Sequence, residues 1–245
     1  MLSNADIISH VQMAFDGTKS NYLSDASYLE HFLIPSLGLN NENLSEQPPE
    51  LSSYMGGGLG LRIWQYPIQF AKYAALLSRY AQNICSYIEI GCRHGGTYIF
   101  HVELLRHLNK SSFQRAVAVD IIEESPFLLQ YNMVTSISSF MRENSGTDEF
   151  KAFISSSHFD VAFIDGDHSY LGVKNDAEIT LDKTNIQVFH DISSDVCPGV
   201  PQYWQEHKDT YSSTHDFYEF TDQYESVNGT FLGIGVAVRK DWIYA

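Results

Sequence analysis

The sequence predicts an α/β fold: a doubly wound, mostly parallel seven-stranded sheet with an antiparallel C-terminal hairpin, preceded by an N-terminal helical extension. Three observations carry this expectation. From residue 61 onward, short apolar runs alternate with stretches of helical periodicity. The last two β-rich runs, about 213–221 and 230–239, follow one another with no long helical stretch between them. Four apolar runs finish in acids, Glu89, Asp120, Asp165 and Asp191, and ligands of open α/β sheets bind beyond the carboxyl ends of the strands.

Residues 1–17 place Ile7, Ile8, Val11, Ala14 and Phe15 near one helical face, with Ser3 or Asn4 as cap. Residues 35–60 are broken by Pro35, Asn40 and Asn41, Pro48 and Pro49, and the run Gly56–Gly60, which reads as a hinge for a lid or as a plain linker. The expected division is therefore 1–60, a helical extension or lid, and 61–245, the α/β domain. Pro67 opens a helix carrying Phe70, Ala74, Leu77, Ala81 and Ile84 at helical spacing. Ser86–Ile90 reads as a buried strand, and Phe100, Leu104 and Leu108 mark the next helix. Then come a strand at Ala116–Val119, a helix over about 124–134 and a strand over about 137–142. Asp160–Ile164 is the fourth strand, Val173, Ala177 and Leu181 a helix, and Ile186–Phe189 the fifth strand. Pro201 opens a helix reaching about His207.

Thirty acidic residues against fifteen basic ones give a formal charge of −15, which argues against nucleic-acid partners and anionic membrane surfaces. No run approaches the roughly 18 consecutive apolar residues of a membrane span. The N-terminus lacks the basic flank and apolar run of a signal peptide, and three cysteines, Cys85, Cys92 and Cys197, make neither a disulfide framework nor a zinc motif. A cytoplasmic protein is expected, and the N-terminal helix leaves a homo-oligomer open. The acid concentrates between Asp160 and Asp222, either as a solvated face or as carboxylates turned inward on a cation.

Glu89-Ile90-Gly91-Cys92-Arg93-His94-Gly95-Gly96-Thr97 follows a strand and opens a helix, where glycine permits a tight turn and the helix N-terminus offers free N–H groups. Its spacing, Gly-x-x-x-Gly-Gly, departs from the Gly-x-Gly-x-x-Gly of dinucleotide binders. Asp120 can accept both hydroxyls of a ribose, in a nicotinamide dinucleotide or in S-adenosylmethionine, and the glycine spacing favours the latter. Asp165 is a hard oxygen ligand for Mg²⁺ or Ca²⁺, and His168 is suited to proton abstraction near neutral pH. Asp191 can approach Asp165 across neighbouring strands, a repulsion that a cation relieves. Glu219, Asp222, His190 and Asp195 are candidates for a third ligand. For Asp165 and Asp191 the competing reading is a helix or turn cap; for the glycine turn it is strand–helix packing alone.

Five stretches, in order, carry a resemblance: Ile63–Pro67 with the helix after it, Ile88–Thr97, Val117–Asp120, Phe159–Tyr170 with Val173 and Asp176, and Phe189–Ile192 followed by Pro198–Val200 and Trp204. Residues 61–239 resemble the class I S-adenosylmethionine-dependent methyltransferases. More narrowly, they resemble the small-molecule O-methyltransferase family that includes macrolide-sugar methyltransferases and cephalosporin-hydroxylase-like proteins. The resemblance implies a Rossmann-like fold. It implies that Gly91, Gly95 and Gly96 cradle the methionine part of the cofactor with Glu89 beneath, that Asp120 holds the ribose, and that Thr97 and Ile121 also lie at the cofactor. Thr147 or Asp148, in a small polar turn, would reach the adenine. Asp165 and Asp191 would hold a divalent ion, Mg²⁺ by expectation, with Asp165 also beside the cofactor and His168 as general base. One departure is Asp182–Asn185, where the family has a Gly-Gly turn. The function expected is metal-assisted O-methylation of a small sugar-like or polyhydroxylated acceptor. The rivals are a non-catalytic S-adenosylmethionine-binding protein, a hydroxylase built on His168, His190 and Asp191, and an NAD-dependent enzyme.

Overall fold

Strands form where the apolar runs stand: β1 (Ser86–Ile90), β2 (Arg115–Asp120), β3 (Ser138–Arg142), β4 (Phe159–Ile164), β5 (Thr184–His190), β6 (His215–Phe220) and β7 (Ile234–Arg239). The computed structural model describes residues 2–42, 52–225 and 229–243; the expected break at Pro48 and Pro49 lies outside the described residues. The sheet order is β3-β2-β1-β4-β5-β7-β6. β1 to β5 pair in parallel. β7 runs antiparallel between β5 and β6, which is the expected hairpin at the edge. The order reverses between β1 and β4, so their carboxyl ends flank the topological switch point.

Among the described residues there are seven longer helices: α1 (Asn4–Gly17), α2 (Pro67–Tyr80), α3 (Gly96–Leu108), α4 (Pro126–Val134), α5 (Asp148–Ser155), α6 (Tyr170–Leu181) and α7 (Gly199–Tyr211). Strand alternation explains why both faces are covered. Ala116 and Ala118 of β2 turn toward the core that holds α2 and α3. Val117 and Val119 turn the other way, onto Phe150 and Ile154 of α5. Farther along the sheet, Phe189 packs with Val173 of α6 and Trp204 of α7.

Ser3 caps α1 in a capping box with Asp6, and Ile8, Val11 and Phe15 are its buried face. Phe15 meets Phe100 edge-on at 5.4 Å, so the N-terminal helix joins the same core as α2 and α3. The glycine run is fastened rather than open. Gly58 N–H donates to Leu39 O at 2.9 Å, Leu59 to Ser36 O at 3.0 Å, Gly60 to Gly38 O at 2.7 Å and Leu61 to Leu37 O at 2.9 Å. Two helices differ from expectation. α5 forms in a stretch to which the sequence assigns no element, since eight residues offer too few periods, and the Thr147 hydroxyl accepts the Phe150 N–H at 3.2 Å as its cap. α7 continues to Tyr211 because Tyr203, Trp204 and His207 stay buried against β5 and β6 neighbours. Among the described residues no helix is long and apolar enough to cross a membrane.

His207 gives the fold a pH dependence. Its ring is buried among Phe189 (centroids 5.0 Å), Tyr211 (4.8 Å) and Trp204, with His215 nearby. Burial lowers its pKa from 6.5 to about 4. Between those values the unfolded chain takes a proton that the folded chain refuses. The neutral ring's contribution is complete above pH 6.5 and falls away toward pH 4, by about 2 kcal/mol at pH 5. Urea unfolding of His207→Phe at pH 7 and pH 5 should show a smaller acid loss than wild type; an equal loss would remove this residue as its source.

Candidate active site

The site lies at the switch point, in a cavity of about 890 Å³, within the size range of ligand pockets. Its floor is made by the ends of β1, β2, β4 and β5. The chain leaves β1 through Gly91, whose φ is +88°. A Cβ there would stand 2.1 Å from the carbonyl oxygen of Asp165, so glycine lets β1 and β4 end side by side. Gly96 opens α3, and a Cβ on it would meet Leu61 O at 1.9 Å; the glycine admits the 61–65 strap across the helix N-terminus.

Asp120 closes β2 with its carboxylate already oriented. Arg93 N–H donates to Oδ2 at 2.7 Å and Ile122 N–H to Oδ1 at 3.1 Å. Each oxygen retains a lone pair for a further donor. Glu89 is 1% exposed and accepts from the Tyr87 hydroxyl, with His101 Nδ1 at 3.4 Å. Burial pushes its carboxyl well above the usual range, against the Tyr87 hydrogen bond.

Asp165, His168, His190 and Asp191 meet at one end of the cavity. One potential ligand atom from each lies within 4.8 Å of all the others. His190 Nδ1 is 2.9 Å from Asp165 Oδ1 and 3.3 Å from Asp191 Oδ2. His168 Nε2 is 3.1 Å from Asp165 Oδ1 and 3.5 Å from Asp191 Oδ2. Asp191 turns its carboxylate inward from a left-handed backbone, φ +62°, at the end of β5; such strain in a non-glycine residue gathers at functional sites. Burial opposes charge on Asp165, but His190 and the hydrogen bonds from both histidines hold it down at about 2. The hydrogen bond with Asp165 raises His168 in spite of its partial burial. Burial disfavours a charged His190, yet the two carboxylates outweigh it and hold the ring well above its ordinary value.

Of the residues expected at the site, Glu89, Gly91, Gly96, Thr97, Asp120, Ile121, Asp165, His168 and Asp191 line the cavity. Gly95 does not; it stands behind the turn with its Cβ position against Leu128. Nor does Thr147, whose hydroxyl is spent capping α5, while Asn144, Ser145 and Gly146 before it do line the cavity. Among the four candidates for a third ligand, His190 joins the cluster. Glu219 instead accepts from Trp204 Nε1 and Lys208, Asp222 pairs with Lys72, and Asp195 faces Thr230 N–H. The strap contributes Arg62, Trp64 and Gln65, which the sequence reading left without a role. Trp64 Nε1 and Gln65 Oε1 are buried and find no partner among the described residues, one donor and one acceptor offered to a ligand. The signal in the sequence is the stretch Ile63–Pro67, one of the five that carry the resemblance.

Residues 88–192, from β1 to just past Asp191, match the family model described as a methyltransferase domain. No curated sequence matches the chain. Among solved structures, the chain is similar to the O-methyltransferase TomG from Streptomyces achromogenes, in complex with SAM, at 16% identity, covering 89% of this chain and 97% of that one, with a TM-score of 0.50. It is similar also to CalS11, a TDP-rhamnose 3'-O-methyltransferase, at 15% identity, covering 81% of this chain and 90% of that one, with a TM-score of 0.51. At these identities the likeness is one of fold.

Proposed function

We propose that the chain methylates a hydroxyl of a small, sugar-like or polyhydroxylated molecule, with S-adenosylmethionine as methyl donor, a divalent ion beside the acceptor and His168 as base. The observation that carries this is the union of the glycine turn, Asp120 and the His/Asp cluster in one cavity. The activities printed for TomG and CalS11 are in keeping with it.

The donor set fits a divalent ion: two carboxylates that repel each other need a cation between them. Asp165, Asp191 and His190 would hold it, and it would orient the acceptor hydroxyl and lower its pKa. Everything else falls to the chain. Asp120 accepts the ribose hydroxyls on the oxygens that Arg93 and Ile122 fix in place. Gln65 Oε1 and Trp64 Nε1 meet the donor and acceptor groups at the aminoacyl end. The apolar side chains of Ile121 and Leu171 screen the far end of the cavity. His168 takes the hydroxyl proton on its ring, and the carboxylates beside Nε2 stabilise the resulting imidazolium. The hydroxylase reading finds its two histidines and a carboxylate together, but the second carboxylate, Asp165, makes four donors where an oxygenase triad has three.

Calorimetry with S-adenosylmethionine and NAD, followed by methyl transfer from labelled donor to a panel of sugars and diols, tests the reading. Binding of NAD in place of S-adenosylmethionine would overturn it. Asp120→Asn should weaken S-adenosylmethionine binding by about tenfold or more, since a hydrogen bond to a charged group is worth about 1.5–3 kcal/mol. An unchanged Kd would take Asp120 out of the ribose site.

A further inference from the structure

The donors of the His/Asp cluster disagree with the Mg²⁺ that the sequence suggested. Mg²⁺ favours an all-oxygen octahedron and is held through one or two carboxylates and waters, whereas imidazole nitrogen suits the first-row transition ions. We infer that this site selects a transition ion of the Mn²⁺-to-Zn²⁺ series over Mg²⁺, and that His190 Nδ1 makes the selection. The inference rests on the proposed function only for the site's use, not for its existence.

The geometry is that of a coordination shell. Two ligands about 2.1 Å from a common ion are about 3.0 Å apart at a right angle and about 3.4 Å apart in a tetrahedron. The separations of His190 Nδ1 from Asp165 Oδ1 and Asp191 Oδ2 are 2.9 and 3.3 Å. They agree with that interval, and the three ligands come from the ends of two neighbouring strands, β4 and β5.

His190 cannot step aside for a smaller, oxygen-seeking ion. Its side chain is 6% exposed and lies on the last residue of β5, in register with Ile234 of β7. Phe163 packs beside the ring. An ion lodged between Asp165 and Asp191 therefore either takes the lone pair of Nδ1 or faces the N–H that this nitrogen otherwise points at both carboxylates. A transition ion gains a good ligand in the first case. Mg²⁺ gains a poor one, and in the second case it meets a positive group at contact distance. His168 differs in being 38% exposed and on a loop, which leaves it free to act as the base.

The test uses the full chain freed of metal by chelation. Co²⁺ is titrated in while its visible d–d bands are followed, and Mg²⁺ is then added as competitor; Mn²⁺-loaded protein is examined by pulsed electron paramagnetic resonance for nitrogen coupling. Co²⁺ and Mn²⁺ should bind at least a hundredfold more tightly than Mg²⁺, with an imidazole nitrogen coupled to Mn²⁺. His190→Glu, which keeps a ligand but makes it an oxygen, should narrow the Co²⁺/Mg²⁺ ratio at least tenfold; His190→Gln, where the glutamate variant fails to fold, should lose Co²⁺ affinity by a similar factor. Equal affinities for Co²⁺ and Mg²⁺ in the wild type, no saturable Co²⁺ site, or no nitrogen coupling would each overturn the inference. These readouts do not involve methyl transfer. A chain that prefers Co²⁺ yet transfers no methyl group keeps the ion site and loses the proposed function, while one that methylates with Mg²⁺ and shows no preference does the reverse.

Discussion

His168→Ala should slow methyl transfer by about 10²–10⁴-fold, the usual contribution of a positioned base, while S-adenosylmethionine binding stays within a few-fold of wild type. The asymmetry follows from placement. His168 sits in the loop between β4 and α6, with Nε2 turned toward the carboxylates and the face 38% exposed toward the cavity. Among the described residues, the other hydrogen-bond neighbour of its ring is Cys197 Sγ, at 3.5 Å from Nδ1. A structural residue would instead lower thermal stability and cofactor affinity together. The decisive measurement is single-turnover transfer with saturating donor, set beside calorimetry of the same variant. Turnover unchanged by the substitution would return the base role to solvent or to another group, and loss of donor binding would make His168 a cofactor contact.

What the sequence disclosed divides along a physical line. Burial patterning is local, so β1, β4 and β5, buried along their whole length, were legible with their boundaries nearly right. The strand-end acids were legible as well, because chain direction alone brings the ends of parallel neighbours to one edge. The choice of His190 over Glu219, Asp222 and Asp195 was not. It depends on which side chain the β5–β7 register and the left-handed turn at Asp191 aim inward, and on competing partners such as Lys208 and Lys72, distant in sequence, that engage the other acids. The strap was hidden for a like reason. Arg62, Trp64 and Gln65 reach the cavity because Gly96 lets their backbone cross α3, a contact between segments more than thirty residues apart. Thr147 shows the converse error: a small polar residue in a loop was assigned to a ligand when the nearest helix claimed its hydroxyl.

Gly91→Ala should cripple the site and the fold at once. The added methyl would lie 2.1 Å from the carbonyl oxygen and 2.4 Å from the carbonyl carbon of Asp165, and both atoms are backbone that cannot rotate away. The residue would also have to keep a φ of +88° that side chains resist. Strain of this kind costs about 1–3 kcal/mol, and forcing an extra methyl into closed packing about as much again. Relief can come only by parting β1 from β4, which moves Asp165 away from both histidines and from Asp191. Binding of S-adenosylmethionine and of the divalent ion should therefore fall together, with a thermal midpoint lowered by well over the effect of strain alone. Gly57→Ala separates the two contributions. Gly57 has a similar φ of +95°, but a Cβ there meets nothing within 4 Å, so this variant should carry the strain cost and leave both ligands bound as in wild type. If Gly91→Ala bound ion and cofactor normally while merely losing stability, the close approach of β1 to β4 would be a packing feature of the sheet and not the device that sets Asp165 in the cavity.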